Sequence, residues 1–220
     1  MALYRDRRHA GRVLAQALAG KYQGRTDVVV LALPRGGVPV AWEIAQRLCA
    51  PLDVFVVRKL GVPGQEELAM GALASGGIVV LNHEVVDALG IDEGTLSRVA
   101  ADELRELIRR ERSYRDGRPP AQVEGKVVIL VDDGLATGSS MRAAVQALRQ
   151  LRPRELVVAV PIAAASTCES IRAEVDDIVC GATPEPFRAV GLWYDDFSQT
   201  TDEEVHQLLA SGGGQPEEVR

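Results

Sequence analysis

Two short apolar runs most restrict what this chain can fold into: VVVLAL at 28–33 and VVILV at 127–131. Each is rich in β-branched residues and runs straight into a glycine-containing turn, then into helical spacing. A strand with no polar face is buried on both faces, the usual condition of a parallel sheet covered by helices. The alternation continues, with strands expected over 53–59, 155–161 and 177–180 and helices over 38–50, 139–151 and 165–174. The fold class is therefore α/β, with a mainly parallel central sheet and flanking helices. A helix over 5–19 precedes this core, and 65–82 is an excursion ending in a strand, GIVVLN. A long charged helix covers 92–116, and Asp116-Gly117-Arg118-Pro119-Pro120 stops it. Residues 183–200 are irregular and aromatic, a short helix follows over 201–210, and SGGGQPEEVR reads as a disordered tail. A length of 220 residues suits one domain over 1–211 with a tail at 212–220.

Composition removes several function classes. A net charge of −6 argues against sequence-independent nucleic-acid binding. No window holds about 18 uninterrupted apolar residues, so no membrane span is expected. The opening MALYRDRRHAGR lacks an apolar signal core, which predicts a cytoplasmic protein. Cys49, Cys168 and Cys180 include no CxxC, so they are expected to be small buried hydrophobes rather than a disulfide framework. His9, His83 and His206 stand singly, without zinc-ligand spacing.

The chemistry concentrates in VVILVDDGLATGSS, 127–140. In an open parallel sheet, ligands bind beyond the carboxyl ends of the strands. Thr137, Gly138, Ser139 and Ser140 stand where a helix begins, and there free backbone N–H groups and the helix dipole bind anions. A phosphomonoester fits that position. Asp132 and Asp133 cannot hold phosphate, but they suit vicinal hydroxyls or a Mg²⁺ held mainly through water. A sugar and a phosphate on one molecule describe a ribose 5-phosphate. The bland alternative is a solvated Asp-Asp-Gly turn capped by Thr and Ser. The stretch contains neither a Walker GKS/GKT nor a GxGxxG. Ser139 and Ser140 lack the nearby histidine that a hydrolytic nucleophile needs.

This stretch resembles the phosphoribosyl pyrophosphate (PRPP) motif of type I phosphoribosyltransferases. The chain as a whole is similar to a bacterial group of predicted members. The order of elements over about 25–182 agrees with the family core. The resemblance implies that Asp132 and Asp133 hold the ribose hydroxyls. It implies that Gly134 and Leu135 lead into a loop, Ala136 to Ser140, that wraps the 5-phosphate. It further implies displacement of pyrophosphate by a nitrogen nucleophile, a Mg²⁺ cofactor bound through pyrophosphate and water with Asp132 and Asp133 as candidate contacts, and a homodimer.

LALPRGGVPVA, 31–41, is a second anion candidate: Gly36 and Gly37 permit unusual backbone, and Arg35 offers a fork for phosphate. It is similar to the family's pyrophosphate loop, where strained or cis peptides are common. VRKLGVPGQEELAMGALASGG, 57–77, starts at a strand end and contains one of only three lysines. The resemblance makes this the flexible loop that closes over PRPP, with Arg58 and Lys59 facing the pyrophosphate. A plain β-hairpin with surface charges is the alternative. Arg35, Arg58, Lys59 and Asp133 are thus the expected catalytic set.

The acceptor stays open. Family members acting on 6-oxopurines usually carry an aspartate where this chain has Ala136. The LATG-S spelling resembles uracil enzymes, which have a proline at the place of Asp133, while the paired acids resemble the orotate branch. Residues 183–200 would form the hood over an acceptor nucleobase, with Trp193 and Tyr194 stacking on it or merely packing the hood. A PRPP-sensing regulatory protein without efficient chemistry is the alternative function.

Overall fold

The computed structural model describes residues 2–212. The expected tail therefore lies almost entirely outside the described residues. Eight strands and seven α-helices follow in order among them. Helix α1 (Arg7–Tyr22) precedes β1 (Val28–Ala32), α2 (Gly37–Leu48) and β2 (Leu52–Val54). Next come β3 (Val57–Val62), β4 (Gln65–Ala74), β5 (Ile78–Leu81), α3 (His83–Leu89) and α4 (Glu93–Arg115). The second half runs β6 (Val127–Val131), α5 (Ser139–Gln150), β7 (Glu155–Ile162), α6 (Ala165–Arg172), β8 (Asp177–Ala182) and α7 (Asp202–Ser211).

The central sheet is wholly parallel, in the order β2-β1-β6-β7-β8. Strands β1 and β6 are buried at every residue. Period-2 alternation divides them between two cores. Val28, Val30, Ala32, Val127, Ile129 and Val131 pack with α1 and α2 on one side. Val29, Leu31, Val128 and Leu130 pack with α5 on the other. Each such side chain contributes roughly 1.5–3 kcal/mol when fully buried.

The order of the sheet reverses between β1 and β6. From β1 the chain steps outward to β2, and from β6 it steps the other way to β7 and β8. That is a topological switch point, where the loops on either side splay apart and leave a crevice. Ala32 pairs with Val131, so both strands end level at its floor.

Three expectations change. The strand expected over 53–59 is two strands, because the chain leaves the central sheet at Phe55 and Val56 and enters a second, antiparallel sheet, β3-β4-β5. The excursion over 65–82 is thus mostly strand, and α3 follows it unforeseen. The cysteine reading is corrected: Cys168 on α6 and Cys180 on β8 form a disulfide, and Cys49 is the exposed free thiol. Twelve residues separate the pair in sequence, and only the packing of α6 against its own following strand brings the sulfurs together.

Candidate functional site

The two anion-loop candidates meet at the switch point. A Cβ on Gly36 would lie 2.0 Å from Asp133 Oδ2, and one on Gly37 would lie 2.7 Å from the Val131 carbonyl and 3.0 Å from Asp132 Cα. Neither glycine is demanded by a positive φ. Both are demanded by close approach, which only a residue without Cβ allows. The Pro34–Arg35 peptide is cis, and the Arg35 guanidinium lies 3.6 Å from Asp202 on α7.

The loop after β6 is held from behind. Leu135 is buried, so its side chain belongs to the core, while its backbone bonds to Ile162 and Ala164. A Cβ on Gly134 would strike Val190 and Ile162. Thr167 on α6 donates to the Ala136 carbonyl at 2.7 Å. Gly138, at φ 73°, turns the chain into α5 in the left-handed region that favours glycine. Ala136, Thr137, Ser139 and Ser140 are exposed beside it. The first turn of α5 contains no acidic residue, which leaves its N–H groups and dipole open to an anion.

The acids lie on the crevice floor. Asp132 Oδ1 accepts from the Asp133 N–H at 2.8 Å, and Asp133 Oδ2 accepts from Arg7 Nε at 2.8 Å. Burial, then the neighbouring Asp133 charge, pushes the Asp132 carboxyl well above the usual carboxylate range. Burial raises Asp133 as well, and the Arg7 guanidinium opposes that rise. Among the described residues no group of three or more His, Cys, Asp or Glu side chains could hold a metal ion. Any cation here would take most of its ligands from substrate oxygens and water, which suits Mg²⁺.

A protein-family model described as "Phosphoribosyl transferase domain" matches residues 4–190. The chain belongs to the phosphoribosyl transferase family. It is 48% identical over 209 residues to a Mycobacterium tuberculosis protein whose name assigns it provisionally as a phosphoribosyl transferase. That match takes in 95% of this chain but only 47% of the relative, so the chain spans about half the length of that protein. It is 36% identical over 126 residues to the bifunctional protein PyrR of Pelotomaculum thermopropionicum, covering 56% of this chain and 64% of that one. Among solved structures, the crystal structure of TT1426 from Thermus thermophilus superimposes with a TM-score of 0.84 at 46% identity, over 97% of this chain and all of that one.

Within this phosphoribosyl transferase fold, Arg58 and Lys59 bond to different partners. Successive residues of a strand point to opposite faces. Arg58 turns toward α4 and bonds to Glu103 at 2.7 Å. Lys59 faces the other way, 3.3 Å from Glu67, and lines a cavity of about 520 Å³ that Ser139 and Ser140 also line. Arg58 and Lys59 also line a second cavity together, beside Glu103.

Of the hood aromatics, Tyr194 is buried, and Trp193 and Phe197 are half-buried. Tyr194 is 5% exposed, forms a bridge with Tyr4, and donates to the Asp133 carbonyl at 2.7 Å. Its ring packs with Tyr4 and Phe197, so it offers no free face. Trp193 packs against the same cluster, and its indole N–H is enclosed without a partner among the described residues. Two site residues escaped sequence reasoning, Arg7 and Thr167. Both reach the loop from elements far away in the chain, 126 and 31 residues off, and no motif marks either.

Proposed function

We propose that this protein transfers ribose 5-phosphate from PRPP to a nitrogen acceptor and releases pyrophosphate. The observation that carries this reading is the contact between Gly36 and Asp133. It brings the 34–37 loop directly against the two acids, with the start of α5 on the same strand end. A molecule with a phosphate, vicinal hydroxyls and a second anionic group would suit all three.

In this reading the N–H groups and hydroxyls of residues 136–140 hold the 5-phosphate. Asp132 and Asp133 accept hydrogen bonds from the ribose hydroxyls. The backbone of Gly36 and Gly37, with Arg35 and Lys59, stabilises the pyrophosphate as negative charge develops on it. The bond between the anomeric carbon and the pyrophosphate oxygen breaks as the acceptor nitrogen bonds from the opposite face. Catalysis then comes from positioning and charge stabilisation. Mg²⁺ would be held by pyrophosphate oxygens and water beside Asp132 and Asp133, supplying positive charge between them and the leaving group. Arg58 would have to leave Glu103 to take part.

A nucleobase acceptor is favoured, and Ala136 disfavours a 6-oxopurine. A homodimer working in the cytoplasm belongs to the same proposal. The test is pyrophosphate release from PRPP and Mg²⁺ across a panel of bases and amines, run beside calorimetry of PRPP binding. Release with one acceptor class supports the reading. Silence across the panel with PRPP still bound would replace the enzyme with a PRPP-sensing protein. Absence of PRPP binding would remove both.

A further inference from the structure

Each acid on the crevice floor has one oxygen held by the protein and one left over. Asp132 Oδ1 is taken by the Asp133 N–H and Asp133 Oδ2 by Arg7, while Asp132 Oδ2 and Asp133 Oδ1 make no hydrogen bond within the protein among the described residues. One unspent oxygen on each of two successive acids suits two vicinal hydroxyl donors. Which oxygen of Asp133 is left over is decided by Arg7.

Arg7 is unusually well fixed for an arginine. Its side chain is 12% exposed, its Nη1 donates to the Ser198 carbonyl at 2.6 Å, and its guanidinium lies 3.9 Å from the centre of the Phe197 ring. A three-way clamp of this kind removes the rotamer freedom that weakens most arginine contacts. Arg7 is the first residue of α1, directly after the N-cap Asp6, whose carboxylate accepts from the His9 N–H. The cap fixes where the helix begins, and from that first turn Arg7 reaches Asp133.

We propose that Arg7 is a positioning residue for the sugar. The N-terminal arm, locked to the hood through Ser198 and Phe197, turns Asp133 so that one of its oxygens is presented to the vicinal hydroxyls. This inference rests on the phosphoribosyl transfer reading, since it assigns the sugar to Asp132 and Asp133. Arg7 itself touches neither phosphate nor sugar. Without it, Asp133 keeps its backbone anchor to Tyr194 but loses the group that orients its carboxylate and offsets the neighbouring Asp132 charge.

The test compares inorganic phosphate, ribose 5-phosphate and PRPP by calorimetry on wild type, Arg7→Ala and Arg7→Lys. The expected result is a loss of about tenfold for ribose 5-phosphate and PRPP in Arg7→Ala, with phosphate affinity unchanged and partial recovery in Arg7→Lys. A merely structural arginine would weaken all three ligands together, and that outcome overturns the proposal, as does wild-type affinity for ribose 5-phosphate in Arg7→Ala. If Arg7→Ala does not fold, Arg7→Lys decides alone: a loss confined to the sugar-bearing ligands supports the proposal, and equal affinities overturn it. Wild-type protein that binds phosphate but neither sugar phosphate would overturn the phosphoribosyl reading itself, and this inference with it.

Discussion

The Tyr194 hydroxyl donates to the main-chain carbonyl of Asp133 at 2.7 Å, tying the aromatic segment near the C-terminus to the loop after β6. The bond spans 61 residues and is largely sheltered from water, so its loss leaves a carbonyl without its partner. Tyr194→Phe should cost about 1–3 kcal/mol and lower the melting temperature by several degrees. PRPP affinity should fall as well, because the carbonyl belongs to Asp133, to which the proposed function assigns the sugar. Thermal melts and calorimetry on the same variant check both.

The neighbouring glycines should fail differently. At Gly36 the added methyl meets the Asp133 carboxyl, which must break its bond to Arg7 to swing away. Gly36→Ala should lose less stability than Gly37→Ala and bind PRPP at least about tenfold more weakly. At Gly37 the methyl meets the Val131 carbonyl and Asp132 Cα, which are fixed in the sheet end. Gly37→Ala should lose about 1–3 kcal/mol of stability. Equal stability losses in the two variants would contradict the packing described.

Asp133→Asn and Thr137→Ala probe the two halves of the ligand. Each should weaken PRPP binding about tenfold. Only Thr137→Ala should weaken inorganic phosphate, since the proposed function assigns the acid to the sugar. Calorimetry showing both variants unchanged for PRPP would remove the site assignment.

The cysteines make a chemical prediction. Under denaturing, non-reducing conditions one thiol, Cys49, should react with an alkylating reagent, and three should react after reduction, as read from intact mass. Because the closed loop is short, reduction should cost about 3 kcal/mol at most. Because Cys168 follows Thr167, which holds the Ala136 carbonyl, reduction should also loosen the phosphate loop.

Alkaline pH should unfold the protein through its tyrosines. Burial is the main cause that pushes Tyr22 and Tyr114 up to about 12 from 10.0. The folded state therefore keeps protons that the unfolded chain releases. This stabilisation is fully present below about pH 10 and is lost as pH rises through about 12. Tyr114→Phe should melt lower at neutral pH, because its bond to Asp202 is gone, yet lose less between those limits. Melting temperatures across that range decide it.

Much of the fold was legible because strand and helix periods are local. Strand β6 and the start of α5 fell where the apolar run and the Thr-Gly-Ser-Ser boundary placed them. The break at Phe55 and Val56 was not legible, since an apolar run looks the same whether it stays in one sheet or crosses into another. Arg58 and Lys59 were expected to project from one strand end toward the crevice, and the sequence could not show that Arg58 bonds to Glu103 while Lys59 lies near Glu67.

The sequence by itself determined the parallel α/β plan and the glycine turn into α5, because hydrophobic period, glycine and helix-start hydroxyls act within a few residues. The tertiary structure alone decided that Arg7 meets Asp133, that Tyr194 packs against Tyr4 and Phe197, and that Cys168 meets Cys180. Each of these depends on the distance and direction between segments that meet only when the sheet closes, and no local pattern encodes that geometry.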